Sequence, residues 1–147
     1  MASRIIRIAA EVLCLMLLLG TVVFLVIFWK NIPERIPNHF DGMGRIDGYA
    51  EKKTLILMPV MMAVGYAALS FAKTMRFRSL GKEVRVPAPP LLFPMMKLAI
   101  LAGLAYMTVC GALVRPLGVW YFPVFLVLIL GPLVVYSIVV LPKMIKQ

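Results

Sequence analysis

The sequence predicts an all-α integral membrane protein that forms a single domain, and three observations support this fold class. Of the 147 residues, 63% are hydrophobic and 15% are charged. Soluble domains average about 45–50% apolar and about 25% charged residues. The apolar residues form four long runs, and a helix needs about 20 of them to cross a bilayer. Basic residues gather at the ends of these runs, as is usual in membrane proteins.

The four runs predict four transmembrane helices, at about residues 9–29, 54–80, 95–114 and 119–141. The first run lacks the small-residue cleavage site of a secretory signal peptide, so we interpret it as a helix that stays in the protein. Its one charged residue, Glu11, lies four positions after Arg7, and an ion pair between neighbouring turns would lower its cost. A proton-relay role for Glu11 stays open, because acids inside membrane helices often serve function.

The second run is expected to continue as a helix beyond the membrane through Arg78 and to end at Gly81, since glycine readily takes the left-handed conformation of a helix end. The following prolines exclude a regular helix, so residues 73–97 are predicted to form a basic cytoplasmic connector. Ala99 and Gly103 then lie four positions apart in the third run. Small residues at this spacing let helices approach closely and predict a face for a second copy of the chain.

The distribution of basic residues predicts the orientation. Ten lie in the N-terminus, the connector and the C-terminal tail, and six lie on the other side. By the positive-inside rule both termini are cytoplasmic, and the outer loop, residues 30–53, is extracytoplasmic. Trp29 and Trp120 then fall at the outer interface, where aromatic rings prefer to lie. The net charge of +10 is therefore explained by basic residues that set the membrane topology. We expect membrane lipid as a partner, and we do not expect nucleic acid.

The outer loop carries strong turn signals at Asp41-Gly42 and Asp47-Gly48. Two Ile-Pro pairs favour an extended chain before the turns. We therefore predict an ordered loop with one or two tight turns. Four side chains of the loop are expected to pack onto the outer helix ends: Ile36, Phe40, Ile46 and Tyr49.

The only histidine, His39, lies in this loop beside Asp41 and Asp47. One imidazole with carboxylates can bind a divalent metal. The alternative is a structural role, in which these side chains satisfy backbone groups of the turns. The sequence contains neither an H-E-x-x-H motif nor a nucleophile paired with a base, so an enzyme is not favoured. Cys14 and Cys110 lie in different apolar runs and are not expected to form a disulfide.

Residues 36–52 resemble the signature IP-x-HF-x-x-x-G-x-x-DG-x-x-x-K of domain-of-unknown-function family 1648, the N-terminal domain of SdpI-type bacterial membrane proteins. The resemblance covers roughly residues 17–72. The matching positions are Ile36, Pro37, His39, Phe40, Gly44, Asp47, Gly48 and Lys52. It implies a multi-pass protein of the bacterial cytoplasmic (inner) membrane. The named member of the family protects its producing cell from a secreted toxin, so the resemblance also implies an immunity role. No catalytic residue of the motif is carried over.

We therefore predict a non-enzymatic binding or immunity module that meets an envelope-active toxin peptide or a membrane protein partner. The predicted binding residues of the outer loop are Pro37, His39, Phe40, Asp41, Gly44, Asp47 and Gly48. Two alternatives stay open. One is a small transporter or membrane-complex subunit, and the other is a metal-dependent membrane enzyme that uses His39, Asp41 and Asp47.

Overall fold

The computed structural model of the protein describes residues 2–72, 77–79, 82–84 and 91–145. The fold is mostly helical. The four long helices are α1 (Ala2–Phe28), α2 (Leu57–Ala72), α3 (Leu92–Ala112) and α4 (Tyr121–Ile145). The two antiparallel strand pairs are β1 (Arg35–Phe40) with β2 (Ile46–Glu51), and β3 (Phe77–Ser79) with β4 (Lys82–Val84).

Among the described residues, three segments are long and apolar enough to cross a membrane, and they are Arg4–Asn31, Lys52–Phe71 and Leu92–Ala112. Helix α4 is 25 residues long, and its stretch Tyr121–Val135 is apolar as well. Large apolar side chains cover the outside of these helices, such as Val26 at 72% exposure and Val127 at 67%. A surface of this kind suits lipid rather than water. The prediction of a mostly helical protein with apolar helices of membrane-spanning length is therefore confirmed.

Helix α3 is the centre of the bundle, because α1, α2 and α4 all pack against it. The fully buried core residues Cys14, Met62 and Leu101 come from α1, α2 and α3 respectively. None of these three side chains is branched at Cβ, so the three helices can pack closely around them. Helix α1 leads into the β1–β2 hairpin and α2 leads out of it, so the hairpin lies at one end of the bundle. We call this the hairpin end and the opposite one the distal end.

Two predictions about the region after α2 are wrong. Helix α2 ends at Ala72, and Arg78 lies in strand β3 rather than in a continuing helix. In the strand pair, the backbone of Arg78 lies opposite that of Glu83. Helix α3 begins at Leu92, so Lys97 belongs to the helix and not to the connector. Pro94 permits the early start because the first turn of a helix has no backbone bond to lose. The predicted stop at Gly81 lies outside the described residues.

The outer loop is a β-hairpin, which adds strands to the predicted helical fold. Register runs from Arg35 opposite Glu51 to Phe40 opposite Ile46, with a bulge around His39. Short 3₁₀ turns connect the hairpin to α1 and α2. Ile36 is buried at 1% exposure, as predicted, whereas Tyr49 is 57% exposed and does not pack onto the helices.

Candidate functional site: the outer hairpin

The underside of the hairpin is part of the hydrophobic core. Ile36 packs in a buried cluster contributed by α1, α3 and the adjoining turns, namely Leu25, Ile32, Leu55 and Ala112. Pro37 is buried as well, and it lies above Gly111 of α3. A Cβ atom added at Gly111 would lie 3.4 Å from the Pro37 carbonyl oxygen. The hairpin therefore rests on α3 through close backbone contact.

Lys52 joins the two ends of the hairpin and contacts the 3₁₀ turn that follows α1. Its Nζ donates to Oε1 of Glu34 at 2.6 Å, and its backbone N–H donates to the Glu34 carbonyl oxygen at 2.9 Å. The same ammonium group lies 5.7 Å from the centre of the Trp29 ring, within cation–π range. The lysine of the family signature thus has a structural role.

Asp41 shapes the tip of the hairpin. Its Oδ1 accepts hydrogen bonds from the backbone N–H groups of Met43 and Arg45, both at 2.8 Å. The Asp41 carbonyl oxygen also accepts the N–H of Gly44 at 2.9 Å, and Gly44 has the left-handed φ of 72°. These bonds are typical of an aspartate that satisfies the backbone of a turn.

The tip of the hairpin is joined to the loop between α3 and α4. The N–H of Leu117 donates to the carbonyl oxygen of Gly44 at 2.9 Å. A Cβ atom at Gly44 would overlap the backbone oxygen of Gly118. Tyr106 of α3 donates in turn to the Leu117 carbonyl oxygen at 3.1 Å. The hairpin is therefore held at its base and at its tip.

His39 and Asp47 form an exposed pair on top of this framework. Nδ1 of His39 lies 2.6 Å from Oδ1 of Asp47, and the two side chains are 72% and 44% exposed. Gly48 makes room for the pair, since a Cβ atom there would lie only 2.8 Å from the Cβ of His39. Exposure alternates along β2, so Asp47 and Tyr49 lie on one face. We call His39, Asp47 and Tyr49 the outward face.

The geometry separates the three predicted metal ligands. His39 and Asp47 are in contact, whereas Oδ1 of Asp41 already accepts two backbone hydrogen bonds. Within residues 2–72, 77–79, 82–84 and 91–145, no three His, Cys, Asp or Glu side chains are grouped so that they could hold a metal ion. Metal binding by His39, Asp41 and Asp47 stays a prediction.

A second polar cluster, which the sequence analysis missed, lies at the distal end of the bundle. Nζ of Lys97 lies 2.6 Å from Oε1 of Glu11 and 3.0 Å from Oγ of Ser70. The hydroxyl of Tyr66 donates to the other carboxylate oxygen of Glu11 at 2.9 Å. The charge count had placed Lys97 in the connector. The available signal was that the first and third apolar runs each carry one charge, of opposite sign. The pair of Glu11 with Arg7 stays a prediction.

The face of α3 that was predicted to contact a second copy packs against α4 of the same chain. A Cβ atom at Gly103 would overlap the ring of Phe125, and the hydroxyl of Tyr121 donates to the Gly103 carbonyl oxygen at 3.0 Å. Both partners belong to α4, so the small residue brings α3 and α4 of one molecule together. Association with a second copy stays a prediction.

The fold and site define a helical protein with apolar helices of membrane-spanning length, which carries an ordered β-hairpin at one end of its bundle. Residues 16–63 match the family model described as Domain of unknown function (DUF1648). The match covers the C-terminal part of α1, the whole hairpin and the start of α2, which confirms the resemblance over this segment. No curated protein and no solved structure matches the chain significantly.

Proposed function

We propose that this chain is a non-enzymatic membrane-bound binding module of the immunity type, which recognises an envelope-active toxin peptide through the outward face of its hairpin. The observation that carries this proposal is the division of the hairpin into a buried framework and an exposed face. The other support is the resemblance of the DUF1648 segment to SdpI-type proteins. In the proposed topology both termini are cytoplasmic, and the hairpin faces the extracytoplasmic side of a bacterial inner membrane.

Most signature residues of the hairpin make contacts within the protein itself. Pro37 packs above α3, Asp41 closes the turn, and Gly44 and Gly48 permit close contacts. A hairpin fixed in this way loses little conformational entropy when a partner binds, which favours affinity. The loop sequence predicts Pro37, Asp41, Gly44 and Gly48 as binding residues, and we propose that they act by positioning the outward face.

The outward face offers chemistry suited to a peptide. Tyr49 presents an aromatic ring at 57% exposure, and exposed tyrosine is frequent at binding hot spots. His39 and Asp47 beside it supply an imidazole and a carboxylate for hydrogen bonds and charge pairing. We propose that the ring anchors the peptide and that the polar pair fixes its orientation.

A binding role fits the bundle better than transport does. Glu11 and Lys97, which lie inside membrane-length helices, neutralise each other across 2.6 Å. Ion conduction needs a row of polar groups along a pore that can contact the passing ion. Glu11 and Lys97 instead form an ion pair with each other. The transporter, membrane-complex subunit and metal-dependent enzyme alternatives stay predictions.

The decisive experiment is toxin challenge of sensitive bacterial cells with and without the chain, across a panel of secreted envelope-active peptides. We expect survival to rise with the wild type for one peptide class. Tyr49→Ala should reduce this protection by about tenfold, as loss of a hot-spot residue does. The matched control is Lys53→Ala, because Lys53 is 80% exposed and lies outside the outward face. Equal survival with and without the chain across the panel would refute the immunity role.

A further inference from the structure

We propose that Glu11 and Lys97 form an assembly clamp: the buried ammonium group of α3 requires the carboxylate of α1, so that this pair holds α1, α2 and α3 together at the distal end. The proposal is independent of the binding role of the hairpin. It assigns a function to the only ion pair of the described residues that joins two of the long helices.

The contacts of Lys97 come from two other helices. Glu11 of α1 accepts its hydrogen bond at 2.6 Å, and Ser70 of α2 accepts at 3.0 Å. The ammonium group also lies 4.5 Å from the centre of the Tyr66 ring, in a cation–π contact. Tyr66 returns to the pair by donating to Glu11 at 2.9 Å. Three helices thus meet at one charged group.

The position of Lys97 makes this arrangement unusual. Lys97 is near the start of α3, where a lysine side chain can ordinarily extend out of the membrane toward water. Its side chain is instead only 3% exposed, whereas that of Glu11 is 32% exposed. The lysine therefore points into the bundle, toward α1 and α2.

Burial makes the two charges dependent on each other. An ammonium group inside a membrane protein is costly unless an opposite charge and hydrogen bonds compensate it. Removal of the Glu11 carboxylate leaves the buried ammonium group of Lys97 without the charge that compensates it, which costs more than removal of both charges. The clamp therefore predicts that single variants are more disruptive than a variant that neutralises both groups.

The accessibility of the native Cys14 can be used to measure whether the clamp holds the three helices together. It lies one turn after Glu11, is fully buried, and packs with Met62 and Leu101 where the three helices meet. A variant with Cys110→Ser leaves it as the only thiol, since the chain has two cysteines. The rate at which a membrane-permeant maleimide labels Cys14 in the full-length protein then measures how often the distal end opens.

We expect Glu11→Gln and Lys97→Glu each to raise the labelling rate by about tenfold or more. The charge-reversed pair, Glu11→Lys with Lys97→Glu, should return most of the protection. The matched control is Glu34→Gln, which breaks the Lys52 pair at the hairpin end and should leave Cys14 labelling unchanged. Wild-type labelling in both single variants would overturn the clamp.

A neutral double variant decides the question if the charge-reversed protein does not accumulate. Glu11→Gln with Lys97→Met removes both charges and keeps similar side-chain volumes. The clamp predicts slower labelling in this double variant than in Glu11→Gln alone, because no unpaired ammonium group remains. Equal or faster labelling in the double variant would show that the charges do not depend on each other and would overturn the proposal.

Discussion

The backbone oxygen of Gly44 accepts the N–H of Leu117 at 2.9 Å, and this bond ties the tip of the hairpin to the loop between α3 and α4. The two residues are far apart in the sequence, and one lies within the DUF1648 segment while the other lies beyond it. The contact requires glycine at position 44, because φ there is 72° and the backbone of Gly118 fills the space for a side chain.

This contact predicts that Gly44→Ala lowers the free energy of unfolding by about 1–3 kcal/mol, since both strain and overlap oppose the new methyl group. Gly42→Ala is the matched control: it lies in the same turn, with no atom within 4 Å of its Cβ position. Thermal unfolding in detergent measures both. Equal melting temperatures for the two variants would contradict the docking of the tip.

The hydrogen bonds of Asp41 predict a different loss for Asp41→Ala. Two backbone N–H groups lose their acceptor, at a cost of about 1–2 kcal/mol, and the turn should open locally. Hydrogen exchange at the amides of Met43 and Arg45 should therefore accelerate. Asp41→Asn keeps an acceptor oxygen at the same position and serves as the control. If alanine and asparagine gave the same exchange rates, the Asp41 side chain would not be what holds the turn.

Metal content tests the chemistry of the His39–Asp47 pair. Two exposed ligands make a weak site, so the purified protein is expected to hold well below one equivalent of zinc or manganese. Elemental analysis of the wild type and of His39→Ala and Asp47→Ala checks this. Near-stoichiometric metal in the wild type, lost in both variants, would contradict the binding-module proposal and favour the metal-dependent alternative.

The packing of Gly103 predicts that Gly103→Leu disrupts the contact between α3 and α4. The side chain would enter the space of the Phe125 ring, and overpacking of this kind costs about 1–3 kcal/mol. Gly20→Leu is the control, because Gly20 lies on an exposed part of α1 with no atom within 4 Å of its Cβ position. In thermal unfolding, Gly103→Leu should therefore have a lower melting temperature than Gly20→Leu. A stable Gly103→Leu protein whose mass in native mass spectrometry falls would instead assign Gly103 to an interface between copies.

The apolar runs predicted the long helices because a span of about 20 apolar residues has few other stable environments. The hairpin was predicted only as an ordered loop with turns. Its second strand contains Asp47, Gly48 and Glu51, which are residue types that strands disfavour. Burial of Ile36 and Pro37 against α3 overrides these local preferences, and such packing between distant segments cannot be read from local sequence.

Lys97 shows the limit of counting charges. The positive-inside rule treats every lysine near a helix end as a marker of topology. Whether a lysine points to water or into the bundle depends on its partner, and Glu11 lies 86 positions away in the chain. With one sequence and no structure, nothing connects the two positions except their opposite charges.

Because the hairpin packs on α3, the DUF1648 segment does not contain everything that holds the hairpin in place. The matched residues 16–63 include Ile36 and Leu55, but not Gly111 and Ala112, on which the underside of the hairpin rests. A chain cut after α2 would leave an apolar surface at the base of the hairpin without its support. Any protein that uses this segment in the same geometry must therefore supply an apolar support beneath the hairpin from outside the segment.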